Sequence, residues 1–125
     1  MIWDFVYEGD IMGKPRMTKA DKWKKRPVTS RYWAMKDMLV LAAKKQSFVL
    51  DAQFIISIQI EMPKSWSKKK KEEMLGSPHQ QTPDLDNILK GIQDSLLQED
   101  SHIWKVYAMK YWSDKNKICI KNLEE

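Results

Sequence analysis

The sequence has few of the residues on which several classes of protein depend. It contains a single cysteine, Cys119, which excludes an internal disulfide and a cysteine-based zinc site. No apolar run approaches the roughly 18 residues of a transmembrane helix, and the N-terminus lacks the charged-then-apolar layout of a signal peptide. We therefore expect a single domain over residues 1–125 and a cytoplasmic location.

The motifs of several enzyme classes are absent as well. There are two histidines, with no Ser-His-Asp or Cys-His arrangement, no phosphate-binding P-loop and no zinc-ligand spacing. Positive charge is in surplus, with 22 lysines and arginines against 17 acids and a formal net charge of +5. Eight of the basic residues fall in residues 14–31 and five in residues 64–71. This clustering predicts a surface that binds a polyanion.

Alternating apolar residues predict the strands. The clearest strand covers residues 53–62, where Phe54, Ile56, Ile58 and Ile60 lie on one face. Three more strands are predicted, over residues 2–8, 103–112 and 117–123. In the strand over residues 103–112, one side carries Trp104, Val106, Ala108 and Trp112. A turn at residues 113–116 lets the last strand return, as in a hairpin.

Helical periodicity predicts two main helices. The first begins with Ser30 as N-cap and runs to about residue 45. Its apolar stripe consists of Tyr32, Met35, Leu39 and Ala42, widened by Met38 and Leu41. A short helix capped by Ser67 interrupts the long connection over residues 63–83. The order is β-α-β-α-β-β, which predicts an α+β domain with a small mixed β-sheet packed against two main helices.

The second main helix starts with two carboxylates one residue apart. The segment reads Thr82-Pro83-Asp84-Leu85-Asp86-Asn87-Ile88-Leu89-Lys90. Thr82 or Asp84 is a suitable N-cap, and the apolar residues that follow form one stripe of an amphipathic helix. Asp86, Lys90 and Asp94, at four-residue steps, share another face. A second acidic pair follows where the helix should end, at Glu99-Asp100.

Two interpretations of these acids are open. Acids near a helix N-terminus complement its dipole and pair with lysines four residues on, so they act as caps and ion-pair partners. Alternatively, two carboxylates about 4 Å apart repel by roughly 4 kcal/mol at an effective dielectric of 20. A divalent cation relieves that repulsion, and hard oxygen ligands suit Mg²⁺ or Mn²⁺. Beside basic stretches, such a site suits phosphate chemistry.

The basic stretches supply the expected DNA-binding residues. These are Lys14, Arg16, Lys22, Lys24, Lys25 and Arg26 in the first stretch, and Lys68, Lys69 and Lys70 in the second. Trp23, set among the first group, suits stacking on an exposed base beside backbone contacts. His79 is expected to be solvated or to contact DNA. His102 is expected at the edge of a strand, near enough to the second acidic pair to approach a metal.

The segment from Pro83 to Lys90, with its P-D-x-D-N-x-x-K pattern, resembles the RusA family of Holliday junction resolvases. The resemblance is greatest to its phage-borne branch and covers roughly residues 10 to 121. It extends to Glu99-Asp100-Ser101-His102, to Lys14-Pro15-Arg16-Met17-Thr18, to Asp21-Lys22-Trp23-Lys24-Lys25-Arg26-Pro27 and to Met62-Pro63-Lys64-Ser65-Trp66-Ser67.

The resemblance implies the residues of the site and the chemistry. Asp84, Asp86 and Asp100 would hold Mg²⁺, or Mn²⁺, and Lys90 would lie close to the scissile phosphate. The protein would be a homodimer that resolves Holliday junctions by paired symmetric incisions in DNA recombination and repair, in a bacterial or phage-infected cell. The alternatives are a non-catalytic module that binds branched or single-stranded DNA, and a nuclease that acts on flaps or RNA.

Overall fold

The structure is a computed structural model that describes residues 2–15, 27–97 and 100–123. Its elements follow one another along the chain as β1 (Phe5–Glu8), α1 (Pro27–Lys45), β2 (Gln53–Glu61), α2 (Lys68–Met74), α3 (Leu85–Leu96), a 3₁₀ turn (Asp100–His102), β3 (Lys105–Ser113) and β4 (Lys117–Asn122). The predicted α+β class with a mixed sheet and two main helices is confirmed, and α2 is the short helix expected in the long connection. Among the described residues, no helix has the length and apolarity to cross a membrane.

The sheet has the strand order β1-β4-β2-β3. β2 and β3 are parallel, in a register that runs from Gln53 opposite Lys105 to Glu61 opposite Ser113. Parallel neighbours need a crossover connection, and α3 lies within it. β4 is antiparallel to both β1 and β2. The helices α1 and α3 therefore cover one face of a sheet in which β1 and β3 form the edges.

The expected hairpin between the last two strands is wrong. β4 runs back as predicted, but it pairs with β2 and β1 instead of β3. The turn after β3 passes over the end of β2, where the backbone N–H of Glu61 donates to the side-chain oxygen of Asn116 at 2.8 Å. β3 and β4 consequently lie on opposite sides of β2, which is the most apolar strand and takes the centre of the sheet.

The core lies between the sheet and the two long helices. Phe54, Ile56 and Ile58 of β2 are fully buried, which confirms the predicted inward face of that strand. Burial of a side chain of this size stabilises the fold by about 1.5–3 kcal/mol relative to leaving it in water. The two long helices and the strands β1 and β4 contribute other fully buried apolar side chains, namely Phe5, Tyr32, Met35, Leu39, Ile88, Ile92, Ile118 and Ile120.

Three details of the predicted elements are wrong. α1 begins one turn earlier than expected, with Pro27 in the first position, where a missing backbone N–H costs nothing. Met38 and Leu41 do not widen its buried stripe, since they are 53% and 45% exposed. Trp104 precedes β3 and is 65% exposed, so it does not belong to the inward face of that strand.

This orientation of α1 predicts opposite effects for two neighbouring positions. Leu39→Ala should lower the free energy of unfolding by about 2–5 kcal/mol, because it leaves a cavity in the core. Met38→Ala, one residue earlier on the exposed side, should change it by no more than about 0.5 kcal/mol. Urea unfolding of both variants measures the difference. Similar losses in the two variants would show that α1 is turned differently.

Candidate metal and DNA-binding site

The first turn of α3 presents the two predicted acids to solvent. Asp84 occupies the N-cap position with extended backbone (φ −67°, ψ 143°), and its carbonyl accepts the first helical bond, from Ile88 N–H at 3.1 Å. Its carboxylate makes no capping hydrogen bond. Asp86 follows in the first helical turn and is also exposed. Capping therefore does not account for the carboxylate of Asp84.

The face shared by Asp86, Lys90 and Asp94 adjoins the first basic stretch. Lys14 pairs with Asp94 across 2.6 Å, and its backbone N–H donates to the Asn87 carbonyl at 3.2 Å. Gly13 permits this approach, because a Cβ there would lie 2.9 Å from that of Asn87. Asp86 and Lys90 are both described, and they form no ion pair with each other. The interpretation of the acids as ion-pair partners predicts such a pair. The basic stretch thus begins against the helix that carries the acids.

Asp100 lies beyond the other end of the helix. It begins the 3₁₀ turn that follows α3, and the 12 residues of α3 span about 18 Å. Among the side chains that the structure describes, no group of three or more His, Cys, Asp or Glu could hold a metal ion. Asp84 and Asp86 lie at the same end of α3, and the participation of Asp100 stays a prediction. His102 is exposed and lies in the 3₁₀ turn, not in the strand that was expected to begin with it.

The connection before α3 is held against β3. After α2, Gly76 adopts the left-handed conformation (φ +82°) that glycine tolerates, and the chain turns along the outer edge of β3. There Gly76 N–H donates to the Trp112 carbonyl and Trp112 N–H donates to the Ser77 carbonyl, both at 2.9 Å. His79 N–H donates to the Lys110 carbonyl at 3.0 Å. These bonds make residues 76–79 a short addition to the sheet.

Tilted contacts between aromatic rings hold the same segment. The ring of His79 lies 4.2 Å from that of Trp112, which in turn lies 4.8 Å from that of Trp66. His79 is only 4% exposed, so the expectation of a solvated or DNA-contacting histidine is wrong. Burial, and then the nearby charge of Lys110, lower the pKa of His79 and favour its neutral form. His79 thus serves to anchor the connection.

Lys110 is the neighbour of the acids that sequence reasoning missed. Its Nζ donates to the carbonyls of Gln81 at 2.8 Å and of Pro83 at 2.7 Å, immediately before Asp84. Burial lowers the pKa of Lys110, and the nearby Asp84 carboxylate opposes that shift. A signal was present in the sequence, since Lys110 falls on the inward side of β3 between Ala108 and Trp112. A lysine at such a position needs polar partners.

The second basic stretch forms α2, with the expected cap. Lys70 N–H donates to the Ser67 hydroxyl at 3.1 Å. Lys68, Lys69 and Lys70 are exposed, and the Nζ of Lys70 lies 4.2 Å from the centre of the Trp66 ring. The other predicted DNA-binding residues, Arg16, Lys22, Lys24, Lys25 and Arg26, lie outside the described residues, as does Trp23.

The donors at the start of α3 fit a hard divalent cation. Asp84 and Asp86 are exposed, offer only oxygen ligands, and make no ion pair or side-chain hydrogen bond with other described residues. Asp94 differs, since its carboxylate is occupied by Lys14. The two unengaged carboxylates are the residues that would hold Mg²⁺ or Mn²⁺ at this end of the helix.

One comparison with known proteins found a match. The model of the family described as endodeoxyribonuclease RusA matches residues 8–121, which run from the last residue of β1 to Lys121 in β4 and include the whole of α3. The matched region therefore contains every predicted site residue. No curated protein matches the chain.

The buried, neutral His79 predicts a pH dependence of stability. Because its folded pKa lies below the ordinary value of 6.5, the unfolded chain binds a proton more readily than the folded one. The contribution of His79 to stability is thus complete above pH 6.5 and is lost as the pH falls through that value toward the folded pKa.

Between pH 7 and pH 5, wild-type stability should therefore fall more steeply than that of His79→Gln, which lacks the titrating ring. The variant His102→Gln, at the exposed histidine, should keep the wild-type slope. Chemical unfolding at several pH values measures all three slopes. If His79→Gln and wild type were equally pH-dependent, His79 would not be held neutral.

Proposed function

Because this chain belongs to the RusA endodeoxyribonuclease family, we propose that it is a metal-dependent enzyme that resolves Holliday junctions by paired symmetric incisions. The observation that carries the proposal is the state of Asp84 and Asp86. Both carboxylates are exposed at one helix end and unengaged by the other described residues, beside a basic stretch that starts at Lys14. Unengaged acids next to a polyanion-binding surface suit a metal that meets phosphate.

The described residues supply distinct parts of phosphodiester hydrolysis. Asp84 and Asp86 would hold the metal, joined by Asp100 as the family resemblance implies. When bound, Mg²⁺ lowers the pKa of a coordinated water and neutralises charge on phosphoryl oxygens. Lys90, exposed one turn beyond Asp86, would donate to the phosphate and stabilise the charge that grows there.

The basic residues supply affinity for the DNA backbone. Lys68 and Lys69 project from α2 into solvent, and α2 belongs to the connection that leads directly to Asp84. Lysine–phosphate contacts release counterions, so this affinity falls as salt rises. Backbone contacts of this kind position a duplex without reading its sequence. Selectivity for branched DNA would then arise from how two such surfaces are arranged.

A homodimer accounts for two incisions. Each chain has one acidic cluster at α3, whereas symmetric resolution of a four-way junction requires two cuts. A two-fold pair of chains presents two equivalent sites to two equivalent strands. A binding module without catalysis would instead use the acids of α3 as ion-pair partners. Asp94 meets that description, but Asp84 and Asp86 do not within the described residues.

Replacement of one acid tests the catalytic assignment. Asp86→Asn should lower the rate of junction cutting by about 10³-fold or more, since it removes metal stabilisation worth several kcal/mol. Binding to the junction in chelator should stay equal or tighten, because a negative charge near phosphate is lost. The matched control is Asp94→Asn, two turns further along the same helix face, which should cut within about threefold of wild type.

The measurement is cleavage of a synthetic four-way junction beside linear duplex, with Mg²⁺ and with chelator. Equal losses in Asp86→Asn and Asp94→Asn would contradict the metal-site assignment. If wild type bound the junction tightly and cut no DNA with Mg²⁺ or Mn²⁺, the non-catalytic module would be the better description.

A supercoiled cruciform plasmid tests the paired incisions. One cut relaxes the circle, whereas two cuts made before dissociation give a linear molecule. Dimers of one wild-type chain and one Asp86→Asn chain should yield mostly relaxed circles, while wild-type dimers yield linear plasmid. Sedimentation of a monomer under cutting conditions, or equal linear product from mixed dimers at matched active sites, would refute the paired mechanism.

A further inference from the structure

We propose that Lys110 is a positioning residue for Asp84, which holds the backbone before α3 so that the carboxylate of Asp84 keeps one place beside Asp86. The proposal rests on the proposed function for its effect on cutting. Its effect on the backbone of residues 80–86 does not depend on any activity.

The geometry of the Lys110 contacts carries the proposal. One ammonium group donates to two carbonyls, those of Gln81 and Pro83. The Pro83 carbonyl belongs to the peptide unit that contains the nitrogen of Asp84. Since a peptide unit is planar, a hydrogen bond of 2.7 Å to that oxygen fixes the plane from which the Cα of Asp84 departs.

The backbone of Lys110 is held within the sheet. It lies opposite Ile58, a fully buried residue of the central strand β2, and its own carbonyl accepts from His79 N–H. Its backbone is therefore part of the sheet. The Lys110 side chain links the connection to this sheet through hydrogen bonds from a charged donor, which are about twice as strong as those from a neutral donor.

Among the described residues, Lys110 supplies the hydrogen bonds that hold residues 80–83, and Pro83 is also half-buried beside Gly13. On one side the chain is fixed at His79, and on the other the helix begins when Asp84 accepts from Ile88. Between these points Gln80, Gln81 and Thr82 are exposed. Among the described residues, the two bonds from Lys110 are the hydrogen bonds that join this segment to the sheet. Without them the segment before the acid would move.

The alternative role for Lys110 is through charge alone, and it predicts the opposite metal dependence. If the ammonium only repelled a cation from Asp84, its removal would tighten Mg²⁺ binding and lower the Mg²⁺ concentration at half-maximal cutting. If it positions the carboxylate, its removal loosens the site and raises that concentration. The direction of the change distinguishes the two roles.

The test compares Lys110→Met with Lys105→Met. Methionine keeps a flexible stem of similar length and removes the charge and the donors. Lys105 lies on the same strand and the other side of the sheet, where its Nζ is 5.4 Å from the Tyr107 ring, so the control removes an equal charge. Backbone order parameters of the metal-free proteins, from NMR relaxation, are the first measurement. Those of residues 80–86 should fall from about 0.85, the value of a rigid backbone, to below about 0.6 in Lys110→Met, and stay as in wild type in Lys105→Met.

The second measurement is kinetic. Lys110→Met should cut a four-way junction roughly 10²-fold more slowly, the scale of a misplaced catalytic group. Its affinity for the junction in chelator should stay within about threefold of wild type. Its Mg²⁺ midpoint should rise, and Lys105→Met should match wild type throughout.

The outcomes separate the proposals. Unchanged order parameters at residues 80–86, a lowered Mg²⁺ midpoint, or a loss of order that extends equally to the central residues of β2 would each overturn positioning by Lys110. A loss of order confined to residues 80–86, in a protein whose wild type cuts no junction, would support positioning of the segment and overturn the proposed nuclease function.

Discussion

The parallel pairing of β2 with β3 sets the position of the site. Parallel strands cannot be joined by a tight turn, so the chain must cross over the sheet between them, and α3 is the main part of that crossover. The helix packs its apolar stripe, with Ile88 and Ile92, on the sheet. Its polar face and its first turn consequently face solvent. Asp84 and Asp86 occupy that turn, beside the inward-facing Lys110.

The long connection before α3 is part of the structured domain. Residues 76–79 add to the edge of β3, and the ring of Trp112 contacts those of His79 and Trp66 at tilted angles. An exposed sheet edge can pair with another chain, so the added segment also protects part of β3. The connection thus leads from the lysines of α2 along the sheet edge to the acids of α3.

Charges of both signs are interleaved around α3, and their partners separate structural from functional roles. Lys14 and Asp94 neutralise each other, so they fasten the chain segment before α1 to the helix. Asp84 and Asp86 have no such cation within hydrogen-bonding reach among the described residues. Such an imbalance is characteristic of sites at which a metal or a substrate completes the electrostatics.

Local pattern alone determined the elements: the alternation of Phe54, Ile56 and Ile58 predicts β2, and the spacing of the acids and apolar residues predicts α3 with its exposed carboxylates. These periodicities belong to a single strand or helix and need no partner. The place of β4 between β1 and β2, the burial of His79 and the reach of Lys110 to Pro83 were decided by the tertiary structure. Each depends on residues that are far apart in the chain. Local sequence patterns do not specify which strands pair with each other or which distant polar groups form hydrogen bonds.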